Sequence, residues 1–459
     1  MPPDIEPMED YEDVKKFFKQ FNNFFSMSYQ QNLKLSIQEC TETHYDALKL
    51  YEANFMTSFR LLKKGFKELP NEQLTFARKK HAFGLKLIEQ VFLVDDTEIQ
   101  NFFNEIICNV YEKWLRNHIS SATSAFKKIL EKEDLLSFSI DLKGALLYRG
   151  RINSYPLSKW DMFHIPFNKR YMIGNQRYSL TGQPLLYLGD SAMCVAQEIG
   201  SEKYSELNIS SFFVTNSLKV YDLNPRLLEQ FIAGETEVSG TLLSLSMKDI
   251  FEKRNIKKEI YHYILHALCS FPRRNVYKDS KFCEEYVLPQ LLAQIIRSQK
   301  FDGIAYLATW PYKDNEFGIN YALFTNYNKT HVYDRNLYNK FEISSPLTAA
   351  QKHVDSTLSL DTYTILVKDI FDYINWLFRT PDFIAKKSQK ENSKLLSDIK
   401  LIGIVLTNAK KLNDIVSIEN SESENITWKL HYYLLYLKLL EIKSSVYMYH
   451  LPGGDIPNV

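Results

Sequence analysis

The chain has 459 residues, 45% hydrophobic and 24% charged, which suits a folded protein of two or three domains and argues against extended disorder. Lys and Arg total 56 against 55 Asp and Glu, a formal charge of +1. That balance lacks the basic excess of a dedicated nucleic-acid binder, so nucleic acid is not an expected partner. The five cysteines, Cys40, Cys108, Cys194, Cys269 and Cys283, form no CxxC pair. Neither a zinc site nor a disulfide framework is expected, and no metal is assigned. The first residues, MPPDIEPMEDYED, are acidic and not followed by an apolar run, and no stretch approaches the roughly 20 apolar residues of a membrane span. A cytoplasmic protein without membrane association is expected.

The first 140 residues read as a helical domain. Apolar residues at three- and four-residue spacing predict helices over Tyr11–Phe25, Tyr45–Gly65, Asn71–Phe92, Thr97–Leu115 and Ser120–Ile129. The texture changes near Asp141, where Gly and Pro become frequent and apolar runs shorten. Strands are expected at Ala145–Tyr148, Leu185–Leu188, Ser211–Val214, Leu218–Leu223, Gly303–Leu307 and Tyr321–Thr325. Helices are interleaved at Met193–Glu198, Lys257–Cys269 and Tyr286–Arg297. Residues 141–335 therefore form a mixed α and β domain, and helical texture returns over 336–459, with candidates at Tyr363–Phe378, Leu395–Val405 and Trp428–Lys443. The fold class is α+β: a central mixed β domain flanked by N- and C-terminal helical regions.

The middle segment carries the chemistry. Arg149, Arg151, Arg170 and Arg177 lie close in sequence, and planar guanidinium groups hold phosphate oxygens bidentately. Glu198 closes a short helix. A carboxylate there suits the stabilisation of a developing positive charge, as in glycoside cleavage. Tyr178 and Tyr187 offer faces for an aromatic ring. Arg177 and Tyr187 flank the Gly182-Gln183-Pro184 turn, which would return two strands to one another.

In order, the blocks LYRGR, MFHIPFNKR, QRYSLTGQPLLYLGDSAMCVAQE and LPQLLAQIIRSQKFDGIAYLAT resemble the pattern of the RES domain, over roughly Leu146–Phe324. The matching positions are Tyr148, Arg149, Arg177, Tyr178, Ser179, Gly182, Tyr187, Ser191 and Glu198. The resemblance implies a fold related to the ADP-ribosyltransferase toxins and an enzyme that consumes NAD as its substrate. It puts Arg177, Tyr187 and Glu198 in catalytic roles, with Tyr148, Arg149, Arg151, Tyr178, Ser191 and Thr309 contacting the dinucleotide. It also implies a toxin with an antitoxin as partner, while the helical flanks on either side suit an anti-phage effector that binds an activating protein. A homo-oligomer is expected. Two positions depart from the pattern: Ala308 and Thr309 stand where the family has its last Ser, and Gln176 replaces a Gly.

The reaction expected is cleavage of the nicotinamide–ribose bond, by hydrolysis or phosphorolysis. Transfer of ADP-ribose to a protein or nucleic acid, or NAD binding by a catalytically degenerate regulatory module, are the alternatives. Plainer roles compete at several positions. Arg149 and Arg151 alternate on a strand and suit a solvated surface, Tyr187 suits a core, and Ser191 suits a helix N-cap. His262 and His266, four apart on a helix, suit a packed face better than a metal site in the absence of an HExxH motif. His164 suits a packed loop.

Overall fold

The computed structural model describes residues 11–80, 82–153, 157–199, 207–225, 255–274, 282–309, 317–343 and 346–348. The helical candidates from Tyr363 onward lie outside the described residues. The protein is α+β, and it divides into two compact units, each drawn from separate stretches of chain.

The first unit comprises Met1–Ser139, Ile173–Gln183 and Tyr221–Phe317. Its N-terminal helices are α1 (Glu12–Phe25), α2 (Met27–Glu39), α3 (His44–Lys67), α4 (Asn71–Lys80), α5 (Ala82–Leu93), α6 (Asp96–Ile106), α7 (Glu112–Leu115) and α8 (Ile119–Lys132). Phenylalanines dominate the core. Phe17, Phe21, Phe24 and Phe25 of α1 are buried, and Phe21 meets Phe92 edge-on at 5.7 Å between ring centres. Thr43 starts α3 with a capping pair: its hydroxyl accepts from the Asp46 N–H at 3.1 Å and donates to the Asp46 carboxylate at 2.6 Å. Ser26 and Asp95 cap α2 and α6 by accepting from the Tyr29 and Thr97 N–H groups.

Two differences from the sequence expectation concern helix continuity. The span Thr97–Leu115 is not one α-helix, because Ile107–Tyr111 forms a π-helical turn in which the Glu112 N–H reaches back to Ile107 O. The extra residue rotates the helix face so that Ile107, Val110 and Tyr111 are all buried. Helix α2 was not expected, since Met27–Glu39 is rich in Ser, Gln and Asn. It nevertheless buries Gln30, Gln31 and Lys34, each engaged through its polar end.

The helix Ile256–Cys269 lies in the same unit and is buried along nearly its whole length. The helix Val287–Ser298 and strand β6 (Gly303–Leu307) follow it, and two short strands, β1 (Ser139–Asp141) and β5 (Lys219–Asp222), lie at the sequence boundaries of the unit. His262 stacks on Phe138 at 3.8 Å and bonds Asp222 O through Nε2 at 2.8 Å, which is the packed face expected for it. Among the described residues no group of three or more His, Cys, Asp or Glu is arranged to hold a metal, and no helix is long and apolar enough to cross a membrane.

The second unit comprises Ile140–Met172, Pro184–Val220 and Gly318–Val459, of which nothing past residue 348 is described. Its strands are β2 (Leu146–Ile152), β3 (Leu185–Gly189), β4 (Leu207–Val214), β7 (Ile319–Phe324), β8 (Phe341–Ile343) and β9 (Leu347–Thr348). β7 pairs with β3, β3 with β2, β2 with β4, and β4 with both β8 and β9, all antiparallel. β2 and β4 run in continuous register from Leu146↔Phe213 to Ile152↔Leu207. The six expected strands are present within a few residues of their predicted ends, and Gly303–Leu307 matches at both.

One helix of this unit, α9 (Ala192–Ile199), packs onto the strands across glycines. A Cβ at Gly150 would stand 2.6 Å from Ile199 Cδ1 and 2.8 Å from Val195 Cγ1. A Cβ at Gly318 would stand 2.2 Å from Cys194 Sγ. Real Cβ atoms do not approach that closely, so α9 sits where only hydrogen atoms project beneath it.

Candidate functional site

The second unit collects six of the nine residues expected at the site: Tyr148, Arg149, Arg151, Tyr187, Ser191 and Glu198. Strand alternation puts Arg149 and Arg151 on one face of β2, together with their cross-strand partners Ser210 and Asn208 of β4. Tyr148 and Gly150 occupy the other face, the one against α9.

Arg149 is the distinctive group. Its guanidinium is enclosed, and among the described residues its Nη1 has no hydrogen-bond partner. Burial, followed by repulsion from Arg151, lowers its pKa to about 9, while the phenol of Tyr187 pulls the other way. A buried guanidinium nitrogen with no acceptor is costly, roughly 1–3 kcal/mol or more for an unsatisfied group. Directly opposite in the register, Ser210 is fully buried, and its hydroxyl likewise has no partner among the described residues. These two groups stand side by side on one sheet face, and their unused donors have the chemistry that suits an oxyanion. Ser210 was missed at the sequence level, although the Ser-Ser step inside the apolar run LNISSFFV was a visible anomaly.

Arg151 is better supported. Its Nη2 donates to Phe163 O at 3.4 Å, and Asp161 favours its charge against the effect of burial. His164, next to Phe163 in the chain, is a structural group. Its Nδ1 donates to Ile165 O at 2.8 Å and its Nε2 accepts from the Asp334 N–H at 2.9 Å. Burial takes it down to about 4, so it is neutral at physiological pH and both ring nitrogens are occupied.

Tyr187 lies on β3 opposite Ala322 of β7 and is half-buried. Ser191 is buried and accepts from the Cys194 N–H at 3.1 Å, the N-cap role weighed for it in the sequence. Glu198 sits in the last turn of α9 with its side chain exposed, and Asn320 Nδ2 donates to its Oε1 at 2.7 Å. Tyr148 is buried in the core, paired with Gly189 and Ser211.

The other three expected residues belong to the first unit. Arg177 and Thr309 are brought together, with Nη2 donating to the Thr309 hydroxyl at 3.3 Å. The remaining capacity of Arg177 is spent on backbone: Nη1 donates to Cys269 O at 3.1 Å and to Phe271 O at 2.9 Å, and the guanidinium lies over the Tyr286 ring at 5.0 Å. Tyr178 is buried against Tyr306 at 4.5 Å between ring centres. The Gly182 turn is formed, with φ +77 at Gly182, its N–H bonded to Ile173 O and an isolated bridge between Gln176 and Ser179.

Comparison with known proteins gives one relative. The chain is 31% identical over 291 residues to a protein of Bacillus subtilis (strain 168) named "Putative toxin YopC". The match takes in 58% of this chain and 62% of that protein, so the chain spans under two thirds of the relative's length. No protein-family model matches the chain, and no solved structure matches it.

Proposed function

We propose that the protein is a toxin that degrades NAD, breaking the bond between nicotinamide N1 and ribose C1′. The observation that carries this reading is the enclosed pair Arg149 and Ser210, whose unsatisfied donors suit a pyrophosphate oxygen. Tyr187 lies within electrostatic reach of Arg149 and offers a half-buried ring for nicotinamide. Glu198 supplies a carboxylate that accepts a hydrogen bond from Asn320. The ordered RES-like motifs and the toxin name of the Bacillus subtilis relative point the same way.

In the reaction proposed, the C1′–N1 bond breaks and nicotinamide leaves with its electron pair, becoming neutral. The Glu198 carboxylate offsets the positive charge that develops on the ribose. A water oxygen then bonds to C1′ and its proton passes to solvent, giving ADP-ribose. With inorganic phosphate as the acceptor, a phosphate oxygen bonds to C1′ instead. An antitoxin that binds the folded chain would keep the activity silent.

The test is release of free nicotinamide from NAD by the purified full chain, with and without phosphate. Wild-type turnover that falls at least 100-fold in Glu198→Gln is expected. No nicotinamide from the wild type, or full turnover in Glu198→Gln, overturns the reading. Label from NAD recovered on a protein or nucleic acid would replace hydrolysis by ADP-ribosyl transfer.

A further inference from the structure

Glu198 is exposed and stands in the final turn of a short helix, a position where a long side chain ordinarily samples several rotamers. Its carboxylate is nonetheless bonded to Asn320, a residue 3% exposed on β7 and paired with Gly189 of β3. The carboxamide of Asn320 is oriented. Nδ2 faces Glu198 Oε1 at 2.7 Å, and Oδ1 faces the thiol of Cys194 at 3.9 Å, a weak donor. Reversing the amide would set an oxygen against a carboxylate and a nitrogen against a thiol hydrogen.

The helix bearing Glu198 is fixed in height as well. The Gly189 Cα is close enough to α9 that a Cβ would meet Val195 Cγ2 at 2.6 Å, and the same Cβ would lie 3.6 Å from Asn320 Oδ1. Gly150 and Gly318 impose comparable clearances along the helix. The strand that carries the amide and the helix that carries the acid are thus held at one separation by three positions without side chains. A carboxamide has the length and the donor to bridge that gap.

We propose that Asn320 is a positioning residue for the NAD-cleaving reaction, holding the Glu198 carboxylate in a single orientation toward the ribose. The inference rests on the function proposed above and adds a residue that the motif reading did not contain. The amide touches no reacting atom and acts through Glu198.

Asn320→Ala is the first variant to measure and Asn320→Ser, which keeps a short donor, the second. In Asn320→Ala, kcat is expected to fall roughly 10- to 100-fold with KM within about twofold, because orientation and not NAD binding is lost. The acidic limb of the kcat–pH profile should move to higher pH, and Asn320→Ser should recover part of both effects. An unchanged kcat in a folded Asn320→Ala protein overturns the inference, as does a loss of kcat that leaves the pH profile in place. A second measurement separates this inference from the function on which it rests. Carbon-13 NMR of the Glu198 carboxyl, assigned by difference from Glu198→Gln, reads its titration without turnover. If the wild type releases no nicotinamide, the proposed function fails. Titration of Glu198 at higher pH in the Asn320→Ala or Asn320→Ser protein than in the wild type then still supports the pairing, and identical titration overturns it.

Discussion

Arg177 ties off the helix that ends at Cys269: its Nη1 stands 3.1 Å from the Cys269 carbonyl oxygen and 2.9 Å from that of Phe271. The last carbonyls of a helix have no partner within it, and a cation there also complements the helix dipole. Thr309 and the Tyr286 ring occupy the rest of the guanidinium. A structural duty of this kind makes a definite prediction. Arg177→Ala should cost roughly 2–4 kcal/mol in urea unfolding, since it leaves buried carbonyls unsatisfied. Any fall in NAD turnover should follow the folded fraction. A variant of wild-type stability that has lost all turnover would return Arg177 to a direct role.

Lys34 reports on the same helix end. It is 1% exposed, donates to the Ser270 hydroxyl at 2.6 Å and lies near the rings of Phe271 and Tyr51. Burial, then repulsion by Arg177, brings it from 10.5 down to about 7. Between those values the unfolded chain binds the extra proton, so this group makes stability rise with pH from about 7 to 10.5 and stay flat below. Lys34→Met should therefore be more stable than the wild type by about 1–3 kcal/mol at pH 6, with the advantage fading toward pH 10. Urea midpoints across that range are the check, and a difference independent of pH would contradict it.

Arg149 should show the opposite balance between stability and activity. With an unpartnered Nη1 among the described residues, it contributes less to folding than its size suggests. Arg149→Met is expected to unfold within about 1 kcal/mol of the wild type, or to be more stable, while losing at least 100-fold in NAD turnover. ADP-ribose should raise the melting temperature of the wild type and not of the variant. Equal stabilisation of the two would remove Arg149 from the site.

Gly150 tests the seating of α9. Val195 is branched at Cβ and cannot swing aside, so Gly150→Ala forces the helix outward. A loss of about 1–3 kcal/mol in stability is expected. Turnover should fall further than the folded fraction accounts for, because Glu198 travels with the helix. Stability and turnover that both match the wild type would show that the helix has room.

Much of this was legible in the sequence because local pattern and tertiary environment agree. Gly303–Leu307 reads as an apolar strand and is one, and the helices of Tyr11–Phe25 and Tyr45–Gly65 announce themselves through Phe at helical spacing. Where local preference and burial diverge, the reading fails. Met27–Glu39 looks too polar for a packed helix, yet Lys34 and Gln31 turn inward to meet a helix end more than 230 residues away. The site divided along similar lines. Motif order marked Arg149, Tyr187 and Glu198, but the partners Ser210 and Asn320 emerge only from strand register and a hydrogen bond 122 residues along the chain. Arg177 illustrates the limit most clearly. Its charge was evident, whereas the two carbonyls that absorb it belong to a segment 92 and 94 residues along the chain.

The pairing of β3 with β7 joins Leu185–Gly189 to Asn320–Phe324. During synthesis, then, a ribosome must travel well past Glu198 before the strand bearing Asn320 exists. A nascent or prematurely terminated chain ending before that point has its acid but no neighbour to hold it. Under the proposed function, interrupted translation would leave fragments without this contact, and an antidote would need to meet only finished molecules.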